Sequence, residues 1–262
     1  MSENPLQSRR IVVTRAREQS HALSRRLTAL GATVIEIPAI RIEELDSPRL
    51  ERAIASIERY YLLVFTSARA VHIFCRRLGE HPGRASSIGR IPIAVVGSAT
   101  ARALSEYGLH PSIVPEEFLA EGLLAAIDNS GLELGGKKIL IPRAKRARAV
   151  LTRELAARGA VIDDIPIYET LPEPFSRNAS LLEQLDPVPD VITFTSSSTV
   201  TFFADGMPPD MLRDLTARSI AACIGPVAAE TARAAGFTVG IVPERFTVPG
   251  LVDAIVRYYL SR

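Results

Sequence analysis

The sequence predicts two similar doubly wound α/β domains, each a parallel sheet covered by helices on both faces. Three observations lead there. The chain of 262 residues is written twice. Each copy alternates short β-rich runs with longer stretches of helical apolar spacing. The β-rich runs are continuously apolar, as expected of strands buried on both faces with helical crossovers between them.

The repeat shows in three blocks. IVVTRAREQSHALSRRLTALGATVIEIP (Ile11 to Pro38) matches ILIPRAKRARAVLTRELAARGAVIDDIP (Ile139 to Pro166) at a gapless shift of 128 positions (139 − 11). Arg15 falls on Arg143, Leu23 on Leu151, Gly31 on Gly159 and Pro38 on Pro166. LLVFTSARAVHIF (Leu62 to Phe74) matches VITFTSSSTVTFF (Val191 to Phe203) at 129 (191 − 62). VVGSATARALSEYGLHPSIVPEEFLAEGLLAAI (Val95 to Ile127) matches CIGPVAAETARAAGFTVGIVPERFTVPGLVDAI (Cys223 to Ile255), again at 128 (223 − 95). This final block carries the pairs Gly97/Gly225, Gly108/Gly236, Phe118/Phe246 and Gly122/Gly250. The period is far longer than that of a solenoid.

Element by element, the first copy reads as follows. Ile11–Thr14 is a strand. A helix follows with apolar residues at Leu23, Leu27 and Leu30, ended by Gly31. Thr33–Ile37, Tyr61–Phe65, Ile91–Val96 and Pro111–Val114 are further strands, the last three each followed by a helix. The second copy repeats this, giving five strands per copy in a flavodoxin-like style. The segments AIRIEELDSP and IYETLPEPF follow the two Ile-Pro pairs and read as linkers. With each domain closed by the block nearest in the chain, residues 39–172 form one domain. Residues 1–38 plus 173–262 form the other, joined to it by two strands.

Composition bounds the function. The chain is 47% hydrophobic and 23% charged, with formal net charge +2 and pI about 8.7. That is ordinary for a globular protein and too weakly basic to indicate nucleic acid, and no Trp is available for base stacking. One basic run, PRAKRARAVLTR (Pro142 to Arg153), reads as a solvated helix face or as an electrostatic lip for an acidic small molecule. Cys75 and Cys223 read as buried thiols. MSENPLQSRR lacks the apolar core of a signal peptide, and no run approaches the roughly 18 apolar residues of a membrane span, so cytoplasm is the expected location.

Parallel sheets bind ligands beyond the carboxyl ends of their strands. Those ends carry Thr14-Arg15, Thr66-Ser67, Gly97-Ser98, Pro142-Arg143, Thr195-Ser196-Ser197 and Gly225-Pro226, and each opens a helix. N-capping explains part of the hydroxyl content, but the run TSSST (Thr195 to Thr199) exceeds what a cap requires. Helix N-termini attract anions, each with only about 0.3–1 kcal/mol. Six of them facing one another across a cleft between two domains suit a polyanion with many carboxylates better than a single phosphate. Ser67, Ser98, Thr100, Ser196, Ser197 and the backbone amides near Gly225, Pro226 and Val227 are therefore the expected binding groups. Arg15 and Arg143 give electrostatic support, being cations where the helix dipole disfavours them.

Familiar catalytic arrangements are missing from the sequence. His21, His72, His81 and His110 have no partners at metal-ligand spacing, so no metal is expected. GLELGGKK (Gly131 to Lys138) has Lys where a phosphate loop needs Ser or Thr, and it precedes a strand, so it reads as a surface turn. Neither a G-x-G-x-x-G nor a G-x-S-x-G pattern occurs. An enzyme built this way works by positioning.

The TR…GA…IP opening, FTS before a helix, VG and IG before helices, the IPIYET junction and the VPE…F…GL ending together resemble the uroporphyrinogen-III synthase family over roughly residues 11–257. The resemblance implies two flavodoxin-like domains joined by a two-stranded connector, and a monomer. It implies cyclisation of hydroxymethylbilane, a linear tetrapyrrole with eight carboxylates, to uroporphyrinogen III, with loss of water and inversion of the last pyrrole ring. No metal or cofactor is implied. The expected partner beyond the substrate is the preceding enzyme of the pathway, met transiently. In the family pattern Tyr168 of IPIYET is the catalytic candidate, its alternative being interdomain packing. One departure stands out. The family commonly has Thr after the second IG, where this chain has Ala228, although the first copy keeps Thr100. Thr231, three residues on, is the expected compensation. Other readings are a non-catalytic two-domain binding or sensor protein for an acidic metabolite, and a nucleotide-sugar enzyme, which lacks its acidic metal motif here.

Overall fold

The structure, a computed structural model, describes residues 4–81, 83–116, 119–147 and 149–261. Phe118 and Arg148, both part of motifs quoted above, lie outside the described residues. The order along the chain is β1 (Arg10–Val13), α1 (Arg17–Ala29), β2 (Thr33–Glu36), β3 (Ile40–Glu44), α2 (Pro48–Ala55), β4 (Leu62–Phe65), α3 (Ala68–Gly79), α4 (Ala85–Ile88), β5 (Ile93–Val95), α5 (Ser98–Ser105) and α6 (Ala120–Asn129). It continues with β6 (Lys138–Ala144), α7 (Val150–Ala157), β7 (Val161–Pro172), α8 (Ala179–Glu183), β8 (Val191–Phe194), α9 (Ser197–Gly206), α10 (Pro209–Arg218), β9 (Ile220–Cys223), α11 (Pro226–Ala234), β10 (Thr238–Ile241) and α12 (Val248–Leu260).

These strands make two five-stranded sheets, β10-β9-β8-β1-β2 and β3-β7-β6-β4-β5. The ladders joining β10, β9, β8, β1 and β2, and those joining β7, β6, β4 and β5, are parallel. Each sheet therefore mixes the two copies of the repeat. Numbered by position within its own lobe, the first sheet runs 2-1-3-4-5, the flavodoxin-like order, with its switch point between β1 and β8. In the second, counting β6 first, β7, β6, β4 and β5 run 2-1-3-4 with the switch point between β6 and β4, while β3 is added at the edge beside β7 and only the Ile113–Ala94 bridge stands in the fifth position. The chain divides into two compact units, 1–42 with 170–262 and 43–169, and crosses between them twice, within β3 and within β7.

Alternation along each strand explains the double winding. In β1, Val12 packs into a cluster with Ile35, Ile192, Phe194, Phe203 and Phe237, while Ile11 and Val13 face the opposite cluster with Leu23, Leu27, Val191 and Leu251. In β4, Leu62 and Val64 join Ile139, Ile141 and Leu155, and Phe65 meets Phe74 edge-on at 5.2 Å. Each such side chain, fully buried, contributes about 1.5–3 kcal/mol of transfer free energy. Gly31 and its repeat partner Gly159 end their helices with φ of 92° and 83°. At Gly31 a Cβ would come within 2.9 Å of Asn4 Cβ, so both conformation and space demand glycine there.

Three of the expected boundaries differ, the first being IYETLPEPF, expected as a linker, which supplies the last six residues of β7. AIRIEELDSP is not only a linker, since Ile40–Glu44 forms β3 at the edge of the second sheet, where the Leu45 amide donates to Ile167 O at 3.0 Å. Pro111–Val114 contributes only a single bridge between Ile113 and Ala94, whereas its counterpart forms all of β10. Pro111 stands where β10 has Val239, and it has no N–H to donate to a ladder.

Candidate active site

The switch point of the first lobe is flanked by the carboxyl ends of β1 and β8. Thr14 does not reach a ligand. It is fully buried, and its hydroxyl donates to Thr193 O at 2.7 Å, tying β1 to β8. Arg15 follows it. Its Nε is buried without a partner, its NH2 group makes one long bond of 3.4 Å to Gln19, and burial lowers its pKa. No carboxylate pairs with it among the described residues. This is a cation held where dielectric and dipole both oppose it.

At the end of β8 the hydroxyl run divides by task. Ser196 caps α9, accepting from the Thr199 amide at 3.2 Å, and Thr199 accepts in return from the Ser196 amide at 3.2 Å, a reciprocal capping box. Two hydroxyls of the five make the cap. Thr195, Ser197 and Ser198 take no part in it and stay half-buried at the rim. Beyond β9, α11 begins Gly225-Pro226-Val227. Pro226 has no N–H, so the amide donors expected there come from its neighbours. Ala228 is 4% exposed and packs in the core cluster, so a methyl fills that position. Thr231 does not stand in for the missing hydroxyl. It lies a turn deeper and donates to Val227 O of its own helix at 2.9 Å.

In the second lobe the switch point lies between β6 and β4. Tyr168, 7% exposed, sits on β7 in register with Ala144 at the end of β6. Its side chain reaches to the end of β4, where its Oη lies 2.9 Å from Ser67 Oγ. Ser67 caps α3, and its Oγ accepts from the Ala70 amide at 3.1 Å. Burial raises the Tyr168 pKa, while the hydrogen bond with Ser67 and the charge of Arg69 pull the other way. Ser98 opens α5 in an exposed position, and Thr100, two residues on, is buried.

Arg143 differs from its repeat partner Arg15. Asp164 clasps its guanidinium through Nε and, at 2.6 Å, NH2, while NH1 donates to Ala144 O and Lys145 O. Its charge is compensated within the protein. Of the run's other described cations, Lys145 and Arg146 share Glu169, and Arg153 lies 3.4 Å from Glu154, which Arg158 also approaches. What the sequence reading missed is Arg69, in the first turn of α3, whose Nε is buried without a partner like that of Arg15. Cation placement at a helix start, the signal that singled out Arg15, was present there as well.

Two open surface pockets lie elsewhere. A cavity of about 230 Å³ lined by Arg49, Arg52, Arg59 and Lys138, and one of about 500 Å³ lined by Tyr60, Tyr61, Arg90 and Pro92, border the amino ends of the second sheet's strands. The rim groups form an open edge at the opposite end. Among the described residues no group of three or more His, Cys, Asp or Glu is arranged to hold a metal.

Residues 21–253 match the family model described as Uroporphyrinogen-III synthase HemD. The chain is 32% identical over 263 residues to the uroporphyrinogen-III synthase of Synechococcus elongatus, covering 98% of each. It is 32% identical over 249 residues to the putative uroporphyrinogen-III synthase of Methanothermobacter thermautotrophicus, covering 94% of this chain and 96% of that one. The fold superposes on a mutant uroporphyrinogen III synthase from the extremely thermophilic bacterium Thermus thermophilus with a TM-score of 0.68 at 21% identity, over 97% of this chain and 100% of that one. The uroporphyrinogen-III synthetase of Helicobacter pylori gives 0.62 at 15%, over 95% and 99%.

Proposed function

The chain belongs to the uroporphyrinogen-III synthase family, and from that premise we propose how its residues close hydroxymethylbilane to uroporphyrinogen III. The observation that supports the role of Tyr168 is the hydrogen-bond chain from the α3 amide to its hydroxyl. Ser67 Oγ already accepts the Ala70 N–H, so its own proton is available to Tyr168 Oη. Tyr168 then has its O–H free to donate outward. Its pKa is raised by burial, so it stays protonated well beyond neutral pH.

The reaction breaks the C–O bond of the terminal hydroxymethyl group and forms a C–C bond to the inverted last ring. One proton from Tyr168 turns the departing hydroxyl into water. The ring carbon that forms the new bond gives up a proton, which restores the phenol, so the net loss is one water. Carboxylates of the substrate are received by Arg15, Ser197 and the first amides of α9 and α11 in one lobe, and by Ser98 and the first amides of α3 and α5 in the other. Thr195 and Ser198, open at the same rim, add donors. The work is orientation: the substrate closes unaided to the wrong isomer, so the protein must favour one pose.

That same instability supports transient contact with the enzyme supplying the substrate, since a short transit limits unaided closure. Cys75 and Cys223 are free buried thiols, and burial pushes both pKa values up to about 12, in keeping with a reducing cytoplasmic setting. Among the described residues no helix is long and apolar enough to cross a membrane.

The test generates hydroxymethylbilane in situ, oxidises the product and resolves the porphyrin isomers. The wild-type chain gives isomer III; isomer I alone marks a binding protein. Tyr168→Phe lowers kcat by about 10²-fold or more, the usual range for one general acid, and leaves affinity for uroporphyrin III within about twofold. A wild-type kcat in that variant removes Tyr168 from the chemistry.

A further inference from the structure

We infer that Arg69 is a substrate-positioning residue, receiving one carboxylate of the tetrapyrrole at the β4–α3 turn beside the Tyr168 hydroxyl. The inference deepens the reading above and rests on it. Among the described residues, only two buried side-chain nitrogens or oxygens lack a hydrogen-bond partner, Arg15 Nε and Arg69 Nε. One lies in each unit. Each follows a strand that flanks its lobe's switch point, Arg15 after β1 and Arg69 after β4.

Arg69 has no carboxylate within ion-pair distance among the described residues, although three arginines on or near its helix do. Arg76 meets Glu44, Arg77 meets Glu51 at 3.7 Å, and Arg84 meets Glu58 at 2.8 Å. Its place in the first turn of α3 sets it against the helix dipole, so the position weakens the fold of the free protein. A buried N–H without an acceptor adds a further cost. Among the described residues, nothing within the lobe offsets either. An incoming carboxylate would offset both, because the planar guanidinium presents Nε and a terminal nitrogen as a fork matched to two oxygens.

The repeat sharpens the point. Arg143, the counterpart of Arg15, is neutralised by Asp164, and the counterpart of Arg69 in the first lobe is Ser198. Among the described residues, each lobe thus keeps one guanidinium whose buried Nε has no partner, taken from opposite sides of its switch point. Arg69 shares its turn with Ser67, the cap that holds Tyr168. Its charge also acts on the Tyr168 hydroxyl. A carboxylate held there is anchored on the same turn that carries the partner of Tyr168.

The experiment compares wild type, Arg69→Gln and Arg69→Lys in three measurements: KM and kcat with hydroxymethylbilane generated in situ, affinity for uroporphyrin III by fluorescence quenching, and thermal unfolding. Arg69→Gln is expected to raise KM and weaken uroporphyrin III binding roughly tenfold, the effect of losing one charge-assisted hydrogen bond. Its kcat stays within about threefold and its melting temperature does not fall. Arg69→Lys, a point charge without the fork, recovers part of the affinity. Unchanged KM and unchanged affinity in Arg69→Gln overturn the inference, as does a lowered melting temperature with binding intact, the mark of a packing role. If Arg69→Gln does not fold, the KM of Arg69→Lys decides, a wild-type value counting against. If the wild-type chain yields only isomer I, the family reading fails by itself, and uroporphyrin III affinity still judges Arg69.

Discussion

Arg15 is held in a place that favours neither its charge nor its Nε, and a residue so placed leaves a trace in stability. Replacing it with Met keeps the length of the aliphatic stem and removes the unpartnered donor. Relief of that penalty is worth about 1 kcal/mol, or some 2–4 °C for a chain of this size. We therefore expect Arg15→Met to melt at a higher temperature than wild type while binding uroporphyrin III more weakly, a trade of stability against function. A calorimetric scan showing a lower melting temperature would mean that the guanidinium supports the fold. Arg15 was legible in the sequence because a cation at a helix start is unusual. Arg143 looked the same, and what separates them is the acid on the neighbouring strand. Asp164 reaches Arg143, whereas its counterpart Glu36 accepts from Ser24. A one-carbon difference in side-chain length, read across a ladder, is not visible to a comparison of repeats. Arg69 went unread because the match between FTSARAV and FTSSSTV drew attention to what the copies share.

The turn from β8 into α9 shows how one element serves two ends with adjacent residues. Ser196 satisfies the Thr199 amide, so Ser196→Ala should cost about 1 kcal/mol of stability, the usual worth of an N-cap. Ser197, a residue further on, caps nothing. Ser197→Ala should leave the urea midpoint unchanged and weaken uroporphyrin III binding by a few-fold. The reverse pattern, binding lost with Ser196 and stability lost with Ser197, would reverse the assignments. At this scale the sequence was largely readable. Continuous apolar runs marked both sheets, and Gly31 and Gly159 marked helix ends through their positive φ. The exceptions have local causes. β3 alternates Ile40 and Ile42 with Arg41 and Glu43, the period of a half-buried edge strand, but it is short, charged and set between an Ile-Pro pair and a Ser-Pro, so it passed for a linker. Pro111 shortened the fifth strand of one copy, and the other copy, with Val239 there, kept its own intact.

The architecture of the whole molecule follows from where the duplicated chain exchanges its parts. β1 and β2 of the first copy complete the sheet of β8, β9 and β10, while β4 and β5 pair with β6 and β7. Neither copy of the repeat contains a complete sheet, although each lobe does. Each lobe therefore receives its first block from one copy and its two later blocks from the other. The two have diverged separately enough to leave a guanidinium with a buried, unpartnered Nε after strand position one in the first lobe and after position three in the second. Two lobes of the same fold that present their cations differently suit a substrate whose two ends differ, of which only one pyrrole is to be inverted. The exchange also makes a prediction about folding. Residues 40–172 carry all five strands of the second sheet and the cluster around Leu62, Val64, Ile139 and Leu155 in one unbroken segment, long enough to bury a core of its own. Residues 1–130, one full copy of the repeat, carry β1 to β5, two strands of one sheet and three of the other. Expressed separately, 40–172 should unfold cooperatively in denaturant, and 1–130 should show no cooperative transition despite its similar length. A cooperative 1–130 fragment would show that a single copy can close its own sheet, and the exchange of blocks would then be a choice the chain makes only when both copies are present.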